Sequence, residues 1–256
     1  MFSSGTDQPS NPVGDLFALN GILYGATNLR GGGTCFNSYG YDYGCGTIYS
    51  ITTTGKEKTI GTFSGKRQGE WPTAGLTAVD GLLYGTTSQG GSERGGTMFR
   101  IATSGTKKKL YNFGRGTDGR NPNAALLDVN GTLYGTTSRG GDSKNGTVFS
   151  IDTSGAEKVL YSFAGGADGS YPSARLIDVR GTLYGTTELG GSSNFGTIFS
   201  ISTDGTKKIV HTFTGGHDGS FPTAGLVEVN GALYGTTLTG GHSGPKGLGT
   251  VFTLTP

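Results

Sequence analysis

The sequence predicts an all-β fold, a β-propeller of five blades with about four antiparallel strands each and one strand missing. Three observations predict it. First, one phrase returns every fifty residues: Gly81-Leu-Leu-Tyr-Gly-Thr-Thr87, then Gly131-Thr-Leu-Tyr-Gly-Thr-Thr137, Gly181-Thr-Leu-Tyr-Gly-Thr-Thr187 and Gly231-Ala-Leu-Tyr-Gly-Thr-Thr237, with Gly21-Ile-Leu-Tyr-Gly-Ala-Thr27 ahead of them. Second, a two-residue turn precedes the Leu-Tyr segment in every copy. Third, the apolar positions alternate with period two, and no helical period competes. A lone four-stranded sheet leaves apolar faces in water, and stacking blades buries both. A β-solenoid is the competing repeat architecture, but its strands pair in parallel, which the turns oppose.

Each element follows from its residues. In the unit spanning 122–171, Ala124–Val129 is the expected first strand. Asn130-Gly131 is the turn, matched by Asn20-Gly21, Asp80-Gly81, Arg180-Gly181 and Asn230-Gly231. Asn-Gly and Asp-Gly tolerate the positive φ of a type I′ hairpin, so the first two strands pair antiparallel. Arg180 is the odd member and predicts the weakest turn. Thr132–Thr137 is the second strand, closed by Gly140-Gly141. The third strand reads Gly-Thr-apolar-aromatic, as in Gly96-Thr-Met-Phe99, Gly146-Thr-Val-Phe149, Gly196-Thr-Ile-Phe199, Gly249-Thr-Val-Phe252 and Gly46-Thr-Ile-Tyr49. The fourth is basic then apolar, as in Lys107–Phe113 and Lys207–Phe213, and its lysines suit an exposed edge that opposes aggregation. A Gly/Asp-rich loop then leads to Pro72, Pro122, Pro172 or Pro222.

The first three strands occur five times and the fourth occurs four times. A five-bladed ring is expected, with the N-terminal strand pair joining the last strand as a clasp. An open fragment of a longer array is the alternative. The ring leaves a vacant blade edge, open to self-association; in a fragment, more repeats or a partner cover it. The repeat runs end to end, so residues 1–256 are expected to form one domain.

Composition excludes several classes. Gly is 51 of 256 residues, about three times the usual share, but it lacks the period of three that collagen needs. Net charge is +2, which gives no electrostatic basis for nucleic acid binding. No run of apolar residues is long enough for a membrane helix, and Met1-Phe-Ser-Ser-Gly5 is no signal peptide. The chain is therefore expected to be cytosolic or a piece of an exported protein.

The one break in the repeat is an insertion at 31–44, rich in Gly, Tyr, Phe and Asn. Cys35 and Cys45 flank most of it. A disulfide closing this short loop is expected and implies an oxidising compartment. Two free thiols are the alternative, and a zinc site lacks ligands. Phe36, Tyr39, Tyr41 and Tyr43 make this loop the first choice for ligand recognition. A second candidate set is Asp118, Asp168 and Asp218, preceded by Thr6-Asp7, in loops that gather on one face of a propeller. These aspartates suit calcium or sugar hydroxyls, but Asp-Gly is also simply a good turn. No resident cofactor or metal is expected beyond that calcium.

Catalytic patterns are thin. His211, His217 and His242 all lie in the last quarter, and His217 beside Asp218 is the only His–Asp neighbour pair. A Gly-x-Ser-x-Gly elbow set between a strand and a helix, His-Glu-x-x-His and a P-loop are absent. The acids Asp80, Asp128, Asp178 and Glu228 recur beside turns and read as hairpin solvation rather than as a catalytic pair. No catalytic residue is assigned.

Taken together, Leu-Tyr-Gly-Thr-Thr, Gly-Gly, Gly-Thr-Val-Phe and Leu-Tyr-Ser-Phe-x-Gly-x-x-Asp-Gly-x-x-Pro resemble the bacterial GloVer tandem-repeat family over practically the whole chain. Cys35 with Gly44-Cys45-Gly46-Thr47 also fits a variant repeat of that family. The resemblance implies exported proteins of environmental bacteria, often carrying a surface-anchoring tail, and supplies no reaction. Likeness to kelch is confined to repeat length and the Gly-Gly pair, since Trp71 is the only tryptophan. The expected function is a non-enzymatic extracellular or cell-surface binding or scaffold module, recognising glycan or protein through its loops. A purely structural array and a polysaccharide-acting hydrolase or lyase are the alternatives.

Overall fold

The computed structural model describes residues 10–36, 39–241 and 247–256. Among them the chain is all-β, with twenty-two short strands, two single-turn 3-10 segments and no α-helix. The strands form five successive blades, the β-propeller arrangement that the repeat predicts. Blade 1 is β1 (Ser10–Leu19), β2 (Ile22–Leu29), β3 (Thr47–Thr52) and β4 (Glu57–Thr62), in sequence order. In blade 2, β5 (Glu70–Pro72) and β6 (Thr77–Val79) both pair with β7 (Leu82–Gln89), followed by β8 (Thr97–Ile101) and β9 (Lys107–Asn112). After β10 (Gly119–Arg120), blade 3 is β11 (Leu127–Val129), β12 (Thr132–Thr137), β14 (Thr147–Ile151) and β15 (Glu157–Ser162), with β13 (Arg139–Gly140) pairing to β10. Blade 4 is β16 (Ile177–Val179), β17 (Thr182–Thr187), β18 (Thr197–Ser202) and β19 (Lys207–Thr212). Blade 5 has three strands among the described residues: β20 (Val227–Val229), β21 (Ala232–Thr237) and β22 (Thr250–Leu254).

The chain divides into two compact units. One comprises Met1–Gly116, Arg120–Leu133 and Ile151–Glu157; the other comprises Thr117–Gly119, Tyr134–Ser150 and Lys158–Pro256. Blades 1 and 2 lie in the first, and blades 4 and 5 in the second.

The hairpins form as their dipeptides require. Asn20, Asp80, Asn130, Arg180 and Asn230 all stand at φ between 50° and 55°. The first strand is shorter than expected: Leu127–Val129 replaces Ala124–Val129. The missing residues leave the ladder to pack and to bond sideways. The Leu126 carbonyl accepts a hydrogen bond from the Thr77 hydroxyl, and Leu126 itself is buried.

Both faces of a blade are apolar, and their alternation explains the repeat. On one face stand the Tyr of Leu-Tyr-Gly and the aliphatic residue of the third strand; on the other stand the Leu, the third-strand aromatic and the Ile two residues after it. In the first unit, Tyr24, Ala26 and Ile48 of blade 1 pack with Leu76, Leu83, Phe99 and Ile101 of blade 2. In the second, Ile177, Val179, Tyr184 and Ile198 of blade 4 pack with Leu226, Leu233, Phe252 and Leu254 of blade 5. An edge-to-face ring pair marks each contact: Phe63 with Phe99 at 5.0 Å, and Phe213 with Phe252 at 5.1 Å. The Gly after Tyr is required by this packing. A Cβ on Gly85 would lie 2.7 Å from the Phe99 ring and 2.9 Å from Leu76.

The last Thr of the motif has a partner in the third strand of every blade, buried in blades 1 to 4 and half-buried in blade 5. Hydroxyl oxygens meet at 2.8 Å in Thr27–Thr47, Thr87–Thr97, Thr137–Thr147, Thr187–Thr197 and Thr237–Thr250. In blades 2 to 5 the first partner also donates to a loop carbonyl two residues on. The oxygen of that Thr accepts from its partner, so each pair is internally satisfied.

The lysines that open the fourth strands depart from expectation. Lys107 Nζ lies 3.7 Å above the Phe63 ring centroid and donates to the Thr62 carbonyl. Lys207 is almost wholly buried against Asp168. Their methylene stems cover the preceding blade while the ammonium finds an aromatic face or a carboxylate. Lys108 and Lys208, the next residues along, are exposed as the edge argument requires.

Candidate functional site

The insertion leaves β2 at Arg30 and returns to β3 at Gly46. Its neck is tied by backbone bonds, from Arg30 N–H to the Tyr43 carbonyl at 2.5 Å and from Gly46 N–H to the Arg30 carbonyl at 3.2 Å. Cys35 and Cys45 form the expected disulfide, with Cα atoms 5.1 Å apart, and both are buried. Asp42 braces the turn, since its Oδ1 accepts from the amides of Cys35 and Gly44 at 3.0 and 2.9 Å. Phe36 bridges to Asp42 across the loop.

All four aromatic candidates on this loop are exposed: Phe36 at 59%, Tyr39 at 83%, Tyr41 at 67% and Tyr43 at 40%. Four exposed rings on one loop make it a candidate recognition surface. Beside the loop lies a cleft of about 250 Å³ lined by Asn28, Leu29, Tyr43, Trp71, Thr73 and Ser88. Two larger clefts of about 490 Å³ flank the loop, one along Arg30–Thr34 and Asp42–Gly44, the other beside Phe36, Lys66, Arg67, Glu70 and Arg94.

Trp71 is the residue that sequence reasoning passed over. It stands before Pro72 at φ 56°, as Asn121, Tyr171 and Phe221 stand before their prolines at 56° to 59°. Its indole N–H donates to the Gly44 carbonyl at 3.0 Å, and its backbone N–H to the Cys45 carbonyl at 3.0 Å. The tryptophan is therefore locked to the insertion and fixes the angle of its ring in the cleft. The signal was present in the sequence as the one tryptophan at a position that recurs in every repeat. In the same cleft the Thr73 hydroxyl is buried with no hydrogen-bond partner, and no lining side chain is charged.

The aspartate candidates are arranged differently. Asp168 accepts from the Tyr161 hydroxyl at 2.8 Å and the Ala164 amide at 2.7 Å, and it pairs with Lys207. Burial opposes its charge, but the Lys207 ammonium and the two hydrogen bonds outweigh it and hold the carboxyl below the usual carboxylate range. Burial and the neighbouring Asp168 push the Tyr161 hydroxyl up to about 12. Asp218 repeats the brace, accepting from the Thr214 amide at 2.8 Å. Asp118 is buried, with its Oδ1 at 2.6 Å from the Gly119 amide. The glycine of each Asp-Gly rests on the threonine pair, where a Cβ on Gly119 would lie 2.3 Å from Thr137 Oγ1. The aspartates and glycines of the motif thus make contacts within the fold itself. Asp7 and His242 lie outside the described residues.

His211 faces Asp218, with Nε2 at 3.0 Å from Oδ1, in the place Tyr161 takes beside Asp168. The recurring acids sit on turns: Asp128 and Asp178 accept from Gly131 and Gly181 amides at 2.9 and 3.0 Å, and Glu228 accepts from Gly231. Asp80 differs in forming the turn itself. Among the described residues, no three His, Cys, Asp or Glu side chains are grouped to hold a metal ion, and no helix is long and apolar enough to cross a membrane.

Comparison with known proteins places this geometry. The model of the Gloeobacter/Verrucomicrobia repeat matches residues 33–252. No curated protein matches the chain. Among solved structures, virginiamycin B lyase from Staphylococcus aureus is 15% identical with a TM-score of 0.61, covering 97% of this chain and 71% of that one. XC5397 from Xanthomonas campestris, a gluconolactonase, is 17% identical with a TM-score of 0.52, covering 97% of this chain and 88% of that one. Identities this low show a shared fold and nothing about chemistry.

Proposed function

This chain belongs to the Gloeobacter/Verrucomicrobia repeat family, and from that premise we propose that it is a non-enzymatic, extracellular binding module that takes up neutral glycan through the 31–44 insertion. The observation that carries the reading is one bridged loop presenting Tyr39, Tyr41 and Tyr43 to solvent beside the uncharged cleft of Tyr43 and Trp71. Aromatic faces take the C–H side of a sugar ring, while Asn28, Thr73 and Ser88 supply hydroxyl and amide groups for its edges. A pinned loop loses little conformational freedom on binding, which favours a weak ligand class. The disulfide supports an oxidising compartment outside the cytosol.

Glycoside hydrolysis ordinarily uses two facing acids. The recurring acids here serve hairpin amides, and Asp168 and Asp218 serve their own loops. A glycan array read with and without calcium, followed by calorimetry on the best ligand, tests the proposal. Trp71→Ala and Tyr43→Ala are each expected to weaken binding at least about tenfold, about 1.4 kcal/mol. Absence of any glycan bound by the unmutated chain sinks it.

A further inference from the structure

The contacts of blade 1 with blade 2 and of blade 4 with blade 5 each join the Tyr-bearing face of one blade to the Leu-bearing face of the next. Two such faces carry exposed apolar side chains among the described residues. On blade 5 the Tyr-bearing face leaves Val227 59%, Val229 47%, Tyr234 40% and Val251 78% exposed. Strand register puts them on one side, with Val227 opposite Tyr234 and Val251 opposite Thr236. The residues matching Val251 in the other blades, Ile48, Met98, Val148 and Ile198, are at most 1% exposed.

On blade 1 the Leu-bearing face is the open one. Leu16 is 51% exposed, whereas Leu76, Leu126, Leu176 and Leu226 are between 1% and 7%. Leu23 and Ile51 are half-buried where Leu83 and Ile101 are fully buried. The two open faces are therefore the unmatched halves of one contact that the molecule makes repeatedly.

We propose that the two halves meet between copies, the Val227/Val229/Tyr234/Val251 face of one copy taking the Leu16/Leu23/Ile51 face of a second. The occupant follows from complementarity. In both contacts described above, the surface that covers a Tyr-bearing face is a Leu-bearing face. The named side chains are uncharged, and the ionisable group on the blade 1 face is Glu57, opposite Ile51 in register, where its counterparts Lys107 and Lys207 reach groups of the preceding blade. The contact is heterologous, using different patches on the two partners. It is independent of any glycan bound at the insertion.

Sedimentation velocity of the full chain over a wide concentration range tests this. The unmutated protein is expected to rise above the 26.2 kDa of one chain as concentration increases. Leu16→Glu alone and Val251→Lys alone are each expected to remain monomeric. An equimolar mixture of the two is expected to give a species of twice the chain mass, because the first variant keeps a sound blade 5 face and the second a sound blade 1 face. Both sites are exposed, and circular dichroism with thermal melts confirms that each variant stays folded. The proposal is overturned if the unmutated chain stays monomeric throughout. It is also overturned if Leu16→Glu self-associates, which would mark a face pairing with its own copy, or if the mixture fails to pair.

Discussion

Removing the disulfide by Cys35→Ala with Cys45→Ala separates the loop's own stability from the blade beneath it. The cysteines are 10 apart in sequence, so the closed loop holds about 11 residues, and chain entropy assigns the bridge about 2.8 kcal/mol. Unfolding entropy near the melting point is about 2.1 cal/mol/K per residue, so over 256 residues this loss lowers Tm by about 5 °C. If the unit that contains the bridge melts by itself, roughly 140 residues share the loss and the shift is about 10 °C. Differential scanning calorimetry of the variant, beside the parent with and without reductant, measures it. A shift under about 1 °C refutes the reasoning, because the neck bonds of Arg30 and Gly46 would then hold the loop unaided.

Three further outcomes are expected. Arg180 occupies a left-handed position that its counterparts fill with Asn or Asp, so Arg180→Asn should raise stability by about 0.5–1 kcal/mol in urea unfolding, and no gain would dismiss local strain. Asp168→Asn leaves the buried Lys207 ammonium without its carboxylate and should cost about 3 kcal/mol, most of it recovered when Lys207→Met is added; equal loss in the single and double variants would show that the pair is incidental. Burial lowers the Lys107 ammonium to about 8, below its value in the unfolded chain. The unfolded chain therefore binds more protons between about pH 8 and 10.5, and this group makes stability rise with pH across that window. Lys107→Met should flatten that rise in urea midpoints, and an unchanged slope would discount the shift.

The blade plan was readable because period two and Asn-Gly turns act locally and repeat. Both faces of the Leu-Tyr segment had to be apolar, and the structure covers both in the inner blades. What the sequence hid was long-range. Lys207 reaches Asp168, thirty-nine residues away, and Lys107 reaches the Phe63 ring, so a basic strand start read as a solvated edge instead covers the blade before it. The brace of His211 on Asp218 was hidden for the same reason, since seven residues separate the two in sequence. At the insertion the aromatic side chains and the bridge were legible from composition and spacing. Trp71 was not, because its partner carbonyl on Gly44 belongs to the preceding repeat and only folding brings the two together.

The threonine pairs separate connector length from sheet geometry. Ten residues divide the partners in blades 2 to 4, thirteen in blade 5 and twenty in blade 1, yet the oxygens meet at 2.8 Å in all five. The hydroxyl clamp fixes where each connector departs and lands, whatever is spliced between. A grafter who wanted a new surface on this scaffold would splice at the exposed stretch 142–144 between Thr137 and Thr147, clear of the buried Ser138, Gly140 and Gly141.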